Sequence, residues 1–391
     1  MYVGIDIGKS FHQAAFLDDH SHDLCAPLAF QNNDEGYQLF FDTLDKTYDG
    51  SHVIIGMEAT GHYWLNICSA LLARDFETHV INPIQTDAIR RMNIRKTKTD
   101  SVDCYYIAKV LMIGEYSDVA IQDNDIAELK QLCRYRYSLV DGVTAVKNQV
   151  TGIMDRIFPE YHTLFSDIFS ITSIELLKRY TTPAEISKVT PKRLAALLTK
   201  YSRGRFDEKK AQQVLSASRT SVGNANVNPA FILQLRQQIA QIEFMREQIS
   251  IVEEQIELCY SRFPCFLHTI KGVGLISAAT IFAEIGDIAN FDSPKKLVAF
   301  AGIDPSVYQS GNYSSTHASM SKRGSPYLRR ALWNTAEIAS RLNPVFAEFY
   351  QRKRSEGKNH MTSIGAVARK MTYSIFAILR DKVPFNHDFG A

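Results

Sequence analysis

The sequence predicts an N-terminal α/β domain with a mixed sheet, followed by a helical linker and a mostly helical C-terminal region. Three observations carry that prediction. Residues 1 to about 115 alternate strand-like and helix-like pieces, residues 127–157 read as one long charged helix ended by Phe158 and Pro159, and apolar residues recur at steps of three and four from Ile232 to Cys259.

The first strand, 2–7, places Val3, Ile5 and Ile7 on one face and Gly4, Asp6 and Gly8 on the other, because side chains alternate along a strand. A second strand follows at 12–17. Residues 53–58 repeat the device of the first, with Gly56 two positions before Glu58, so each acid is expected on a cleared face of an otherwise apolar strand. A helix at 62–74, a strand at 78–81 and a helix at 101–113 complete the domain. Asp100 and Asp103 stand three apart where the last helix begins, and Val102, Ile107, Val110 and Leu111 mark its apolar side.

From about 160 to 227 the chain is polar and interrupted by Pro183, Pro191, Gly204 and Gly223, which suggests short helices and discloses no chemistry. The seam that follows runs through Ile232, Leu235, Ile239, Ile242, Met245, Ile249, Val252, Ile256 and Cys259, a coiled-coil pattern whose partner is either another helix of this chain or a second protomer. Residues 263–391 open with HTIKGVGLISAATIFAEIG. Its Gly-Val-Gly turn between two apolar stretches is similar to a helix-hairpin-helix, whose turn amides can hold a phosphate; the plainer reading is a tight turn with packing glycines.

Composition narrows the class. The 391 residues are 45% hydrophobic, carry no uncharged apolar run of membrane-spanning length, and contain six cysteines without CxxC spacing. A soluble cytosolic protein without zinc or disulfides is expected. The formal net charge is only +2, yet cations cluster at Arg90, Arg91, Arg95, Lys96 and Lys98, at Arg134, Arg136 and Lys147 on the long helix, and at Lys322, Arg323 and Arg329. With Lys271, Gly272 and Gly274 of the hairpin-like turn, these are the candidate nucleic-acid contacts; the first cluster abuts Asp100, where a phosphate backbone near a metal site needs cations.

Ionised carboxylates on an apolar strand are costly unless a cation meets them. Asp6, Glu58, Asp100 and Asp103 supply the hard oxygen donors that a pair of Mg²⁺ ions requires for phosphoryl transfer. Each acid alone has a structural explanation, as a loop tie, an arginine partner or a helix cap; the four in this order are harder to explain separately. Far downstream, Ser310 precedes a Gly311-Asn312 turn signal and is followed by Lys322, Arg323, Arg329 and Arg330. Serine is a weak nucleophile without a base or a metal, so this segment alone would be passed over.

The segments GIDIGK, GMEATGHYW, KTKTDSVDCYYIAK, LCRYRYSLVDGVTAVKNQV, IKGVGLISAATIFAEIGDIANFDSPKKLVAFAGIDP and SKRGSPYLRRALW, in this order, give the chain its identity as a type. Together they resemble the DEDD transposases, or recombinases, of insertion-sequence family 110, nearly end to end. The resemblance implies a RuvC-like domain of the RNase H type at 1–157, a helical linker with a coiled coil at 158–262, and a C-terminal transposase domain at 263–391. It implies that Asp6, Glu58, Asp100 and Asp103 form a tetrad for two Mg²⁺ ions, with Mn²⁺ able to substitute, and that Ser310 is a nucleophile in a composite site shared between protomers of a dimer or tetramer. It also implies DNA as substrate, a structured guide RNA encoded in the element, and residence in a bacterial or archaeal cytosol beside the nucleoid. The family often has two glycines after the serine; this chain has Gly311-Asn312, and Ser306, Ser314 and Ser315 lie close by as alternative nucleophiles.

Three other classes compete. A junction-resolving nuclease would need the acids and not the serine, a sugar-kinase or actin-like ATPase would need a second glycine-rich α/β half, and a plain nucleic-acid-binding protein would have no use for four acids.

Overall fold

The computed structural model describes residues 1–47, 52–59, 61–81, 83, 85–87, 100–114, 116, 124–223, 228–305, 309–310, 313–314 and 320–386, with backbone alone at 100–102, 309–310 and 313–314. By its contacts the chain divides into Met1–Ile121 and Gln122–Ala391.

The first unit is built on a five-stranded mixed sheet of β1 (Tyr2–Ile7), β2 (Phe11–Leu17), β3 (Leu28–Gln31), β4 (Ile54–Glu58) and β5 (Glu77–Ile81), in the order β3-β2-β1-β4-β5. The first three strands form an antiparallel meander, and β4 and β5 extend it in parallel with β1. Helices α1 (Asp34–Thr47) and α2 (Trp64–Leu72) contribute Phe40, Phe41, Leu44, Ile67 and Leu71 to a core beneath Val3, Ile5, Phe16, Phe30, Ile55 and Met57. On the opposite face lies α3 (Asp100–Ile113), whose Ile107, Val110 and Leu111 pack with Ile81. A mixed sheet with this order and helices on both faces is an RNase H-like fold. The sequence reading found four of the five strands. It missed β3, only four residues long, and α1, which is capped by the Asn33 side chain accepting from the Gly36 amide at 2.8 Å.

The second unit is helical around a long pair, α4 (Asn124–Ile157) and a later helix, Pro229–Tyr260. Between them run α5 (Tyr161–Leu164), α6 (Ile171–Arg179), α7 (Pro183–Ser187), α8 (Pro191–Ser202) and α9 (Glu208–Thr220), which make Pro229–Tyr260 α10. Contacts of Cys259 with Asp125, Arg136 with Glu253, and Gln238 with Gln149 show α4 and α10 to be antiparallel. The apolar seam therefore has its partner in the same chain: Leu235, Ile239, Ile242, Val252, Ile256 and Cys259 are buried, as are Leu129, Cys133, Val143, Val146 and Val150 of α4.

Two cores share this pair. One gathers α5 to α9 around Val143 to Ile242; the other gathers Leu129, Cys133, Val252 and Ile256 with the C-terminal helices α11 (Leu275–Ile285), α12 (Pro294–Ala301), α13 (Pro326–Leu342), α14 (Pro344–Ser355) and α15 (His360–Asp381). Between α12 and α13 stands a small hairpin of β6 (Gln309–Ser310) and β7 (Tyr313–Ser314). All six cysteines are free thiols. No helix among the described residues is long and apolar enough to cross a membrane.

Candidate acidic site and serine hairpin

The parallel register of β1 and β4 aligns Tyr2 with Ile54, Gly4 with Gly56 and Ile5 with Met57. One further step sets Asp6 beside Glu58. Neighbouring strands lie about 4.8 Å apart, so the two carboxylates leave adjacent strand ends on the same face. Both are half-buried.

The sequence reading expected that face to be cleared, and here the structure corrects it. A Cβ on Gly4 would stand 2.1 Å from the Cys104 carbonyl oxygen and 2.5 Å from the Ala108 amide nitrogen, while one on Gly56 would meet the Leu111 side chain at 2.8 Å. The glycines make room for α3, which lies on the sheet with main chain against main chain at Gly4. That contact brings the first turn of α3 toward the strand acids.

The electrostatics agree with this placement. Burial pushes the Cys104 thiol up to about 12, and the negative charges of Asp6 and then Asp103 push in the same direction. Cys104 thus senses an acid from β1 and one from α3. Asp103 itself is 7% exposed. Glu58 accepts a hydrogen bond at 2.9 Å from the Thr86 hydroxyl, which is also 2.9 Å from the Pro83 carbonyl; its single proton serves one acceptor at a time. Neither Thr86 nor Cys104 was singled out from sequence: Thr86 reaches Glu58 from a segment that carries no motif, and Cys104, next to Asp103 on α3, has a side chain type with no part in oxygen-donor chemistry.

Asp6 and Glu58 side by side, with Asp103 in the first turn of the helix that covers their sheet face, repel one another, and a hard cation with oxygen ligands relieves that repulsion. The donor chemistry of Asp6, Glu58 and Asp103 fits Mg²⁺ in this sense. Among the described residues no three His, Cys, Asp or Glu are already drawn together as a metal site. The side chain of Asp100 lies outside the described residues, although its backbone opens α3.

Ser310 lies on β6, paired with Tyr313 across the Gly311-Asn312 connection, and Gln309 pairs with Ser314. The described part of Ser310 is its backbone; Ser306 and Ser315 lie outside the described residues. The base of the hairpin is closed by a bridge between Pro305 and Met320 and by the Ser321 hydroxyl donating to Asp304. Gly324, at φ +75°, passes so close to Phe300 that a Cβ there would overlap its carbonyl oxygen.

Directly after this base, Ser325 caps α13 by accepting from the Leu328 amide and donates at 2.7 Å to Glu284. Glu284, 1% exposed, is also held by Arg134 through two bonds of 2.6 and 2.9 Å. Arg134 on α4 is thereby committed to a carboxylate, as is Arg136 to Glu253. Lys147 lies 5.1 Å over the Phe169 ring, and Arg329 donates to the carbonyls of Ala301 and Arg323. Lys271, Lys322 and Arg323 are exposed. Gly272, at φ +101°, abuts Ala339 with 2.7 Å for a Cβ, which accounts for that glycine by packing, whereas Gly274 faces open space ahead of α11. Arg90, Arg91, Arg95, Lys96 and Lys98 lie outside the described residues.

Comparison with known proteins now bears on these features. Residues 3–159 match the DEDD transposase model of the IS110 type, and residues 266–351 match the model of the transposase IS116/IS110/IS902 family. An insertion element IS110 43.6 kDa protein of Streptomyces coelicolor is 23% identical over 97% of this chain and 94% of its own length. The pilin gene-inverting protein of Moraxella lacunata is 25% identical over 98% and 97%, and an insertion element IS900 42 kDa protein of Mycobacterium paratuberculosis is 26% identical over 99% and 97%. With its N-terminal 3–159 and its C-terminal 266–351 both matched and relatives aligned along nearly their full lengths, this chain belongs to the IS110/IS116 family of DEDD transposases.

Proposed function

We propose that this transposase moves its own insertion element by metal-dependent strand exchange through a phosphoserine intermediate. The observation that carries the reading is the register that sets Asp6 beside Glu58 under the first turn of α3. Asp6, Glu58, Asp100 and Asp103 would hold two Mg²⁺ ions. When bound, the ions neutralise charge at the scissile phosphate and ease deprotonation of a hydroxyl.

Ser310 Oγ attacks the phosphorus of the DNA backbone, forming one P–O bond as another breaks, and the leaving deoxyribose oxygen takes up a proton. Attack by a hydroxyl of the second strand then re-forms a phosphodiester and returns the serine. Bond energy is conserved throughout, so no ATP is required. The hairpin at Ser310 supports this role because its base is locked while β6 and β7 hold Ser310 next to the turn. The relative described as pilin gene-inverting is compatible with it, since inversion and excision are one strand exchange on differently arranged sites.

We further propose guidance by a structured RNA, which rests on the resemblance to the family, and assembly with a second copy of the chain. Leu233, Phe244, Ile251 and Leu258 are 59%, 61%, 47% and 61% exposed on the side of α10 away from α4, and the last three recur at seven-residue intervals. Such spacing is that of a self-pairing helix face.

Asp6→Asn and Ser310→Ala test the chemistry. Both are expected to abolish recombination of a donor plasmid, and only wild type and not Ser310→Ala should yield protein covalently joined to DNA in denaturing gels. Metal-dependent cutting without any covalent adduct would replace this reading with the hydrolytic nuclease. Purified protein carrying no RNA and retaining full activity would remove the guide.

A further inference from the structure

We propose that the turn between α8 and α9 is a docking surface for the phosphate backbone of double-stranded DNA, outside the acidic site. Residues 161–220 hold eleven Lys and Arg against five Asp and Glu, whereas the whole chain holds 44 against 42. The rest of the molecule is therefore net acidic. A protein acting on DNA concentrates its surplus of positive charge in one helical segment.

The surplus converges at the turn. Lys200 and Arg203 end α8, Arg205 lies in the connection, and Lys209 and Lys210 open α9, with Arg179 of α6 bonded through its guanidinium to the Tyr201 hydroxyl at 2.9 Å. Lys200, Arg203, Arg205 and Lys209 are exposed, and among the described residues none of the four has a carboxylate within 4.0 Å. Arg134, Arg136 and Arg330 each have one, and Arg262 has two.

Helix electrostatics explain part of this arrangement and leave part unexplained. Cations at the C-terminus of α8 suit its dipole. Lys209 and Lys210 in the first turn of α9 oppose the dipole there, even with Asp207 capping that helix and Glu208 beside it. Arg203 takes the left-handed conformation at φ 54°, a position that favours glycine. Two local preferences are thus overridden in favour of positive charge.

The aromatic residues of the turn indicate which polyanion fits. Tyr201 lies under Arg179 and Lys200 at 5.4 and 5.2 Å, and Phe206 under Lys210 at 5.5 Å; both rings are half-buried beneath the cations. A base stacking on either ring would have to displace a cation already lying over it, unlike the open aromatic platform of a single-strand binder. Exposed cations over half-buried rings suit a duplex read through its phosphates, and the family to which the chain belongs acts on DNA.

The surface rests on the reading of the chain as DNA-acting, and it is tested separately from the catalytic site. Full-length Arg203→Gly/Lys209→Glu removes charge while following the local preferences, so its melting temperature should equal or exceed that of wild type. Its affinity for a duplex of arbitrary sequence, measured by fluorescence anisotropy, should fall about tenfold at low salt, with the slope of log K against log salt smaller by about 0.9 for each phosphate that the variant no longer neutralises. Lys200→Gln/Arg205→Gln should move both quantities in the same direction. Asp6→Asn should keep wild-type affinity while losing cleavage, which separates failure of the surface from failure of the catalytic reading. Unchanged affinity and slope in both double variants would overturn the proposal, as would loss of binding to hairpin RNA with duplex DNA binding intact.

Discussion

A methyl group at residue 4 would collide with the Cys104 carbonyl and the Ala108 amide, two backbone atoms that cannot rotate away. Gly4→Ala is therefore expected to cost about 1–3 kcal/mol through overpacking and to lose metal-dependent cleavage as α3 shifts from the acids. Gly56→Ala meets only the movable Leu111 side chain and should lower the urea midpoint less. His12 offers a second test. It is fully buried between the rings of Phe30 and Tyr37, and burial lowers its pKa from 6.5, with Asn32 offsetting this in part. A lowered pKa means the unfolded chain binds more protons between the two values, so stability is unaffected above about pH 6.5 and declines as pH falls below it. Melting curves across pH should show that decline, and His12→Leu should flatten it. At this scale the two Gly-x-acid devices were legible because strand alternation assigns faces. What covers a face was not, since alternation says nothing of a helix arriving from fifty or a hundred residues later, and Thr86 reaches Glu58 from outside any motif.

Among the elements, the link from α4 through Glu284 to the cap of α13 depends on a buried charge. Glu284 is the buried partner and Arg134 is 38% exposed, so Arg134→Ala, which leaves the carboxylate uncompensated, should destabilise the second unit by about 3–5 kcal/mol in urea unfolding. Ser325→Ala keeps the Arg134 pair and forfeits the cap, a loss of about 1 kcal/mol. The long helices were legible from periodicity, and α3 and α4 match their expected spans closely. The partner of the α10 seam was not, because an apolar stripe specifies that something packs there without naming it. Its mate on α4 is spread through Leu129, Cys133, Val143, Val146 and Val150 among charged residues, so that in sequence the helix shows its charge and not its apolar side. The ion pairs of Arg134 and Arg136 were equally hidden, with acceptors more than a hundred residues away.

For the whole molecule, exposed apolar side chains on the outer side of α10 set a further expectation. Phe244→Glu/Ile251→Glu should reduce the sedimentation mass to that of one chain while helical content by circular dichroism stays the same; an unchanged mass would place the assembly contact elsewhere. The α/β start and helical remainder were legible from the order of periodic segments. By packing, α4 lies with the helices of the second unit although it follows the acids directly in sequence. The segment from 160, opaque to motif reading, forms five short helices between residues 161 and 220 that share a hydrophobic core with α4 and α10, Tyr161 fully enclosed within it.

The seating of α3 on bare peptide at Gly4 leaves no compressible layer between helix and sheet. Interatomic spacing there is inherited from bond lengths and van der Waals radii, so repacking of the neighbouring apolar residues has little leverage on it. Gradual exchange of those residues during divergence should consequently erode melting temperature well before it displaces α3 from the two strand acids.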